Sequence, residues 1–370
     1  MKIVFLFING LHQLFHTAMT AMELGRIQDG VVCLSCNDEH TEVLEGIRNS
    51  CPGTATEIVQ AKPPLRYRYM NIKGKLYPSV NAIVRRSSRL LRNADGVVTT
   101  SHGTPGVFRR HGITGPKIIF QYHGCGDRKY GFEASLGKMD LMLLPGAYHR
   151  KRLAEEGIVD PGRTRIVGWP KFDITSGDAE RPFSNTRPTV LYCPHWDPSL
   201  GSYRDLAGEI ISHFAGNTSF NLIFAPHMLV KHWRVHHGYR IHSPAKDHDN
   251  ILIDYGSIKG TDGTYLRQAD IYIGDVSSMV YEFIAMKPRP CIFLNPHGVC
   301  WRNDPDYRFW EYGPVAGDMA EFRKALSLTG SMEGYLELQR RRIPEYFNLT
   351  DTPSSKRAAM AIHDFMGGRR

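Results

Sequence analysis

The sequence predicts an α/β protein built from two doubly wound, Rossmann-like domains that face one another across a cleft. Short apolar runs alternate with segments of helical spacing along most of the 370 residues, as in parallel sheets covered by helices. The alternation lapses between Thr175 and Pro188, where Gly, Asp, Ser, Asn and Pro are dense, and it then resumes. Because one core rarely extends over so long a chain, we predict two domains, at residues 1–178 and 188–370.

The first domain is predicted to open with a strand, an Asn-Gly turn and a helix. Apolar runs predict strands at Ile3–Ile8, Val31–Ser35, Glu57–Gln60, Gly96–Thr100, Lys117–Tyr122, Leu141–Leu144 and Arg165–Val167. Helical spacing predicts helices at Leu11–Glu23, Thr41–Asn49, Ser79–Asn93 and Ala147–Glu156. This alternation favours a parallel sheet.

The second domain repeats the pattern. Strands are predicted at Thr189–Cys193, Asn221–Ala225, Ile251–Asp254, Ile271–Ile273 and Cys291–Leu294, and helices at Leu206–Ala215, Met279–Met286, Met319–Leu328 and Ser355–Met366. Ligands of doubly wound sheets bind beyond the carboxyl ends of the strands. We therefore expect the functional residues in the loops that follow the strands.

The stretch Ala269–Pro296 reads as a strand, a serine-bearing turn, a helix and a second strand. Asp275, Ser277 and Ser278 stand where the helix would begin, and Lys287-Pro288 would end it. Backbone amides and hydroxyls at a helix N-terminus bind anions, above all phosphates. The alternative is that Asp275 or Ser277 only caps the helix.

Three histidines, His123, His195 and His227, directly follow predicted strands, and His102 is a fourth. A single loop histidine is usually a surface or hydrogen-bonding residue, but the repeated placement at strand ends favours a functional role. The sequence Gly-Cys-Gly after His123 allows backbone amides to approach a ligand closely. His123 could accept a proton from an attacking hydroxyl, and His227, if protonated, could stabilise a leaving nucleotide.

Positive charge is concentrated in one segment. Lys62–Arg92 contains nine Lys or Arg residues and no Asp or Glu, which equals the net charge of +9. Such a segment could attract an anionic membrane surface or a polyanionic substrate, or it could be only a solvated face. No nucleic-acid-binding module accompanies it, so we predict no nucleic-acid partner.

Other patterns restrict the class of protein. No GxxxxGK[ST], GxGxxG or GxSxG motif occurs, which argues against P-loop, dinucleotide-oxidoreductase and α/β-hydrolase functions. The histidines lack metal-site spacing, and we predict neither a metal nor a cofactor. Seven scattered cysteines favour a reducing cytoplasm, and the N-terminus, MKIVFLFING, favours a core strand over a signal peptide. No apolar stretch is long enough to span a membrane.

Five sequence pieces together resemble the CDP-glycerol glycerophosphotransferase family, the teichoic-acid primases and polymerases. IGDVSSMVYEFIAMKPRPCIF resembles that family's TDYSSxxFDFxxxxKPIIF signature, and YHGCGDRKYG resembles its WHGTPLKxLG. GWPKFD resembles GYPRND, YCPHWDPS resembles YAPTWRD, and FAPHMLVKH stands where the family has RxHxLV. The resemblance covers about half of the chain, roughly from Gln121 to Leu294.

The resemblance implies a GT-B fold and transfer of a polyol phosphate from a CDP-activated donor. It implies no required metal, and it implies attachment to the inner face of the cell membrane. His123 matches the proposed catalytic base and His227 the donor-binding histidine. The donor-phosphate turn is matched by Asp275, Ser277 and Ser278, with Glu282 in place of an Asp; Gly124 and His195 belong to two further matching pieces and are predicted to contact the donor.

The chain departs from the family pattern at two points, where Cys125-Gly126 replaces Thr-Pro and Pro198 replaces an Arg. Three functions therefore remain open. The first is a transferase that moves a polyol phosphate to a hydroxyl acceptor in the synthesis of a cell-surface glycopolymer. The second is a UDP-sugar glycosyltransferase or a UDP-N-acetylglucosamine 2-epimerase-like enzyme. The third is a non-catalytic protein that binds an anionic glycopolymer or membrane through Lys62–Arg92.

Overall fold

A computed structural model describes residues 1–61, 79–174, 181–230, 242 and 248–367. These residues divide into two compact units. The first unit comprises Met1–His123, Phe132–Thr175 and Glu345–Arg370, and the second comprises Gly124–Gly131 and Ser176–Pro344. Most of Lys62–Arg92, namely residues 62–78, lies outside the described residues.

The first unit contains a seven-stranded sheet in the order β3-β2-β1-β4-β5-β6-β7, in which every pairing is parallel. Its strands are β1 (Ile3–Phe7), β2 (Val31–Ser35), β3 (Glu57–Gln60), β4 (Gly96–Thr99), β5 (Lys117–Gln121), β6 (Leu141–Leu144) and β7 (Thr164–Ile166). Each lies within one residue of its predicted bounds. β1, β2 and β6 are buried along their whole length, as expected where helices cover both faces of a parallel sheet.

The second unit contains a six-stranded parallel sheet in the order β10-β9-β8-β11-β12-β13. Its strands are β8 (Thr189–Cys193), β9 (Asn221–Phe224), β10 (Ile251–Ile253), β11 (Ile271–Gly274), β12 (Cys291–Leu294) and β13 (Val315–Ala316). The two-residue strand β13 is too short to give a periodic signal, and sequence analysis missed it. Both sheets thus have the doubly wound order that the sequence predicts.

Twelve α-helices connect these strands in the described part of the chain. They are α1 (Leu11–Ile27), α2 (Asp38–Asn49), α3 (Val80–Arg86), α4 (Ser88–Arg92), α5 (Thr104–Arg110), α6 (Ala147–Glu155), α7 (Tyr203–Gly216), α8 (Thr264–Gln268), α9 (Met279–Met286), α10 (Met319–Ser327), α11 (Glu333–Tyr346) and α12 (Ser354–Phe365). None of them is both long and apolar enough to cross a membrane.

The predicted single helix Ser79–Asn93 is interrupted at Ser87, which separates α3 from α4. Ser87 has φ −95° and ψ 10°, and serine tolerates such a break because its hydroxyl can bond the local backbone. Ile83 before the break and Leu91 after it are both fully buried. The interruption therefore lets both apolar faces reach the core of the first unit.

The C-terminal segment differs from the predicted domain division, which assigned residues 188–370 to one domain. Here Glu345–Arg370 belongs to the first unit, where α12 packs against α1. Asn348 N donates to Pro145 O at 2.8 Å, and a ring nitrogen of His363 lies 2.8 Å from Gln28 Oε1. Sequence periodicity gives the helix but not its partner, because its buried face could cover either sheet.

Candidate functional site

The strand order of the second sheet reverses at β8, which lies between β9 and β11. Because all these strands are parallel, the loops that follow β8 and β11 lie at the same edge of the sheet. The loop after β8 begins with Pro194 and His195, and the loop after β11 begins with Asp275. Doubly wound sheets bind their ligands at such a reversal point, so this edge is the candidate site of the second unit.

The carboxylate of Asp275 is buried and links the two loops. It accepts hydrogen bonds from His195 N at 2.9 and 3.1 Å, Ser202 N at 2.6 Å, Ser202 Oγ at 2.9 Å and Val276 N at 2.7 Å. Burial raises the pKa of Asp275, although these donors act in the opposite direction. Only 1% of Asp275 is exposed, so its carboxylate contacts protein groups here. Asp275 therefore positions the two loops, and its contact with a donor stays a prediction.

The two serines at the start of α9 differ in their surroundings. Ser277 Oγ accepts a hydrogen bond from Met279 N at 3.3 Å, so this hydroxyl helps to begin the helix. Ser278 is exposed, and its side chain makes no capping bond to the helix. The Ser278 hydroxyl and the first amides of α9 are consequently the groups of this turn that can meet an anion.

His195 and His227 lie side by side at this edge, with ring centroids 6.1 Å apart. The amide of Asp197 donates to His195 Nδ1 at 3.1 Å, and the amide of Leu229 donates to His227 Nδ1 at 3.2 Å. A neutral imidazole whose Nδ1 accepts a hydrogen bond must carry its proton on Nε2. Both rings can therefore offer an Nε2–H donor.

Burial keeps both imidazoles neutral at pH 7. It lowers the pKa of His195 to about 4, with the charge of Arg128 acting in the same direction and Asp197 opposing it. Burial likewise lowers the pKa of His227 to about 3, and His195 adds to the effect. The sequence-based interpretation allowed for a protonated His227. Without a bound anion, this geometry instead gives a neutral hydrogen-bond donor.

The segment Gly124–Gly131 belongs to the second unit, although it follows strand β5 of the first. The hydroxyl of Tyr281 donates to the buried carboxylate of Asp127, and Lys129 N donates to Asp306 Oδ1 at 2.7 Å. Gly126 has φ +148°, and a Cβ added there would lie 2.9 Å from the ring of Tyr281. The glycine is required by this close approach.

Arg128 is the cation that this segment brings to the candidate site. Its Nη1 lies 3.4 Å from Val276 O, in the turn between β11 and α9. Its charge acts on the ring of His195 and on Tyr307. Sequence analysis did not single out Arg128, because a basic residue in a glycine-rich loop has no pattern that separates it from a solvated side chain.

Gly124 and Glu282 occupy contrasting positions near this turn. A Cβ added to Gly124 would lie 3.7 Å from Ser278 Oγ, which is an ordinary van der Waals distance. Glu282 lies in the first turn of α9 and is only 5% exposed, and its charge opposes the burial that lowers the pKa of Arg267. Gly124 is thus beside the exposed serine, whereas contact of Glu282 with a ligand stays a prediction.

His123 lies in the first unit, at the carboxyl end of β5. Burial lowers its pKa to about 4, against a hydrogen bond to the backbone of Thr100 that raises it. Nδ1 of His123 is buried and has no hydrogen-bond partner in the described part of the chain. An unprotonated ring nitrogen of this kind can accept a proton, as the sequence-based role requires.

Two further histidines, both on α1, accompany His123. The ring of His12 lies 6.5 Å from that of His123, and the ring of His16 lies 6.4 Å from it. The ring of His16 also contacts Trp169 edge-on, at 4.9 Å between centroids. His12 and His16 are four residues apart on one helix, and this spacing was a signal in the sequence. Any two residues on one buried helix face can have the same spacing, so the signal is not specific.

The described residues contain no group of three or more His, Cys, Asp or Glu side chains arranged to hold a metal ion. None of the seven cysteines, all of which the structure describes, forms a disulfide, and of the seven Cys300 alone is exposed. Cys33 and Cys36 have CxxC spacing, and burial raises the pKa of both thiols, that of Cys36 to about 12. Cys33 and Cys36 are therefore packed as small apolar side chains of the first unit.

Scans of protein-family models and of curated protein sequences find no match to this sequence. Solved structures match nearly the whole chain. A variant of the wall teichoic acid polymerase TagF soaked with CDPG gives a TM-score of 0.64 at 15% identity, over 99% of this chain and 89% of that one. MnaA from S. aureus in a structure with UDP gives 0.64 at 11% identity, over 99% and 97%.

A third similar structure is the UDP-GlcNAc 2-epimerase of Neisseria meningitidis bound to UDP-GlcNAc. Its TM-score is 0.57 at 11% identity, and the alignment covers 100% of both chains. This chain has the GT-B fold. Similarity at such low sequence identity establishes the fold but not the reaction.

Proposed function

We propose that this chain is a transferase that moves a polyol phosphate, such as glycerol phosphate, from a CDP-activated donor to a hydroxyl acceptor. The product would belong to a cell-surface glycopolymer. The sequence pieces that resemble the glycerophosphotransferase family support this proposal, as does the similarity in fold to TagF, which was soaked with CDPG.

One observation carries the proposal: neutral His195 and His227, each with an Nε2–H donor, lie at the same sheet edge as the Ser278 turn. A diphosphate offers several anionic oxygens, and neutral donors with helix amides bind such oxygens without a metal ion. Arg128 adds a positive charge at this edge. In the proposal, these groups hold the diphosphate, and Gly124 and Glu282 complete its surroundings.

The proposed reaction uses His123 as the base and His227 as a hydrogen-bond donor to the leaving group. The acceptor hydroxyl gives its proton to Nδ1 of His123, and its oxygen forms a bond to the phosphorus that carries the polyol. The bond from this phosphorus to the bridging oxygen of the diphosphate breaks, and CMP leaves. Hydrogen bonds from His227 and from the start of α9 stabilise the charge on the departing CMP.

A ligand panel tests the proposal. A ligand that binds only the folded state raises the melting temperature, so we would record thermal shifts with CMP, CDP-glycerol, CDP-ribitol, UDP and UDP-N-acetylglucosamine. We expect stabilisation by the cytidine compounds and its loss in Ser278→Ala and His227→Ala. Release of CMP from CDP-glycerol by the wild-type protein, and not by His123→Ala, would then establish the reaction.

The second candidate is a UDP-sugar glycosyltransferase or an epimerase. It is favoured by the structures of MnaA with UDP and of the Neisseria meningitidis epimerase, which match this chain over at least as much of their own length as TagF does. Stabilisation by the uridine compounds alone, with formation of UDP or an isomerised sugar, would replace the first proposal with this one.

The partner surface of the chain is a separate proposal. Arg85, Arg86 and Arg89 are exposed on α3 and α4, whereas Arg92 donates to the backbone of residues 111 and 112. We propose that the three exposed arginines attract an anionic membrane surface. Sedimentation with vesicles of phosphatidylglycerol should fall when all three are changed to Gln, and vesicles of phosphatidylcholine serve as the control. Unchanged sedimentation by the triple variant would contradict this proposal.

The same variant also tests the third function, a non-catalytic binder. Loss of function by the triple variant, together with full function of His123→Ala, would favour that binder.

A further inference from the structure

A segment that sequence analysis did not single out borders the candidate site of the second unit. It is the 3-10 helix Pro305–Tyr312, which follows β12. Its start is fixed by Asp304, whose carboxylate accepts a hydrogen bond from Asp306 N at 2.9 Å. The 3-10 helix belongs to the second unit, as do the turn after β11 and the glycine-rich segment Gly124–Gly131, so their contacts lie within one compact unit.

Each of these three segments contacts the other two. Trp310 Nε1 donates to Asp275 O at 2.7 Å, which joins the 3-10 helix to the turn after β11. Lys129 N donates to Asp306 Oδ1 at 2.7 Å, which joins the 3-10 helix to the glycine-rich segment. Arg128 Nη1 lies 3.4 Å from a backbone carbonyl oxygen of the same turn. The 3-10 helix is therefore a third wall of the site that contains Arg128.

Tyr307 lies between the two residues that anchor the 3-10 helix, Asp306 and Trp310. Its ring packs edge-on against Trp310, with 4.8 Å between the centroids, and the residue is half-buried. The hydroxyl of Tyr307 forms no hydrogen bond with any residue that the structure describes. Packing therefore fixes the ring, and the hydroxyl remains available to a ligand.

The phenol of Tyr307 lies within reach of the charge of Arg128. Burial raises the pKa of Tyr307, and the charge of Arg128 opposes this rise. The nearby carboxylates of Asp304 and Asp306 raise the pKa further. The phenol is therefore protonated at pH 7 and can donate a hydrogen bond. The charge of Arg128 also acts on the ring of His195, and a cation with hydrogen-bond donors around it suits a phosphate.

We propose that Tyr307 is a further residue of the donor site and that its hydroxyl donates to the outer phosphate of a nucleoside diphosphate. The inference deepens the proposed function and rests on it. In the proposed reaction His227 and the start of α9 hold the phosphate that leaves with CMP, so the outer phosphate, which carries the polyol, remains for Arg128 and Tyr307. Arg128 balances the charge of this phosphate, and Tyr307 fixes its orientation for the attacking hydroxyl.

The test is isothermal titration calorimetry of the full-length protein with CMP, CDP and CDP-glycerol. We expect Tyr307→Phe to weaken the binding of CDP and CDP-glycerol about tenfold, because one hydrogen bond to a charged group is lost. CMP, which lacks the outer phosphate, should bind as it does to wild type. The matched control is Tyr335→Phe, which removes the hydroxyl of an exposed tyrosine in α11 of the same unit. Equal affinities of wild type and Tyr307→Phe for CDP, or equal losses for CMP and CDP, would overturn the proposal.

A double-variant cycle shows whether Tyr307 and Arg128 bind the same phosphate. Residues that share one ligand group are coupled, so the effects of their substitutions on affinity are not independent. We expect Tyr307→Phe to weaken CDP binding less in an Arg128→Ala background than in wild type, because the outer phosphate is then held loosely. The same loss in both backgrounds would place the two side chains on different groups and overturn the shared phosphate.

Uridine nucleotides separate this inference from the proposed function. If UDP binds to the wild-type protein and CDP does not, the cytidine donor of the proposed function is wrong. Tyr307→Phe should then weaken the binding of UDP and not of UMP, which would leave the role of Tyr307 standing, whereas an unchanged affinity for UDP would overturn it. If neither diphosphate binds to the wild-type protein, the inference and the proposed function are both overturned.

Discussion

Ser202 donates twice to one oxygen of Asp275, from its backbone nitrogen at 2.6 Å and from its hydroxyl at 2.9 Å. The same carboxylate accepts the amide of His195. A single buried side chain therefore fixes the loop after β8 against the loop after β11. The geometry of the candidate site of the second unit depends on this link.

Removal of this carboxylate should destabilise the protein. Asp275→Ala leaves several buried donors without an acceptor, and we expect a loss of about 3 kcal/mol in the free energy of unfolding. Asp270→Ala is the control, because Asp270 accepts one bond, from Thr189 N at 2.9 Å, at the opposite end of the same two strands. Denaturant titration should give about 1 kcal/mol for the control, and equal losses would contradict the positioning role.

The two glycines after His123 should respond differently to alanine. Gly126→Ala places a Cβ against Tyr281 at a positive φ, and we expect it to lower the free energy of unfolding by about 2 kcal/mol. Gly124→Ala has room for its Cβ and should keep the stability but weaken nucleotide binding, because the methyl group lies beside Ser278. Thermal unfolding and nucleotide titration distinguish the two, and a stable Gly126→Ala would show that the loop shifts easily.

Arg128 should contribute to the affinity for a nucleoside diphosphate. We expect Arg128→Ala to weaken its binding about tenfold, because a cation at the phosphate site is lost, while binding of the uncharged nucleoside is unchanged. Lys129→Ala is the matched control, since the neighbouring lysine is exposed and bonds Asp306 through its backbone amide. A uniform loss for nucleoside and diphosphate would indicate that the loop, and not the charge, was disturbed.

Acidification should destabilise the fold through its buried histidines. The pKa values of His123 and His195 are lowered to about 4 and that of His227 to about 3, below the unfolded value of about 6.5. Between these values the unfolded state binds more protons, so the stability present above pH 6.5 is lost as pH falls. Each histidine adds a slope of about 1.4 kcal/mol per pH unit in that interval.

Unfolding curves at pH 7.0 and pH 5.5 measure this slope. His227→Gln should reduce the difference between the two pH values, because the glutamine does not titrate. His248→Gln, at a partly exposed histidine of the same unit, serves as the control. If His227→Gln leaves the slope unchanged, unfolding does not change the protonation of this ring, and the prediction is wrong.

The backbone of the chain was largely predictable because most of its strands are buried on both faces. Continuous apolar runs such as Val31–Ser35 and Leu141–Leu144 give strands with nearly unique bounds. The helix Met279–Met286 was predicted from its spacing and from Lys287-Pro288. Local sequence patterns were sufficient for elements whose bounds depend only on their own residues and the residues next to them.

The direction of side chains was less predictable. Asp275 was correctly placed in the turn, but sequence spacing does not reveal that its carboxylate faces Ser202 instead of solvent. The placement of His195 beside His227 follows from the strand order, once strands of a doubly wound sheet are recognised. The contact of His16 with Trp169 was not predictable, because it depends on packing between a helix and a segment far along the chain.

The route of the chain also sets the order in which the molecule can be completed during synthesis. The helix α12 packs on α1 but is translated only after the whole of Ser176–Pro344 has been synthesised. Until then the face of α1 that packs against α12 stays uncovered, even though all seven strands of the first unit have been made. The first unit is therefore the first to be started and the last to be completed during synthesis.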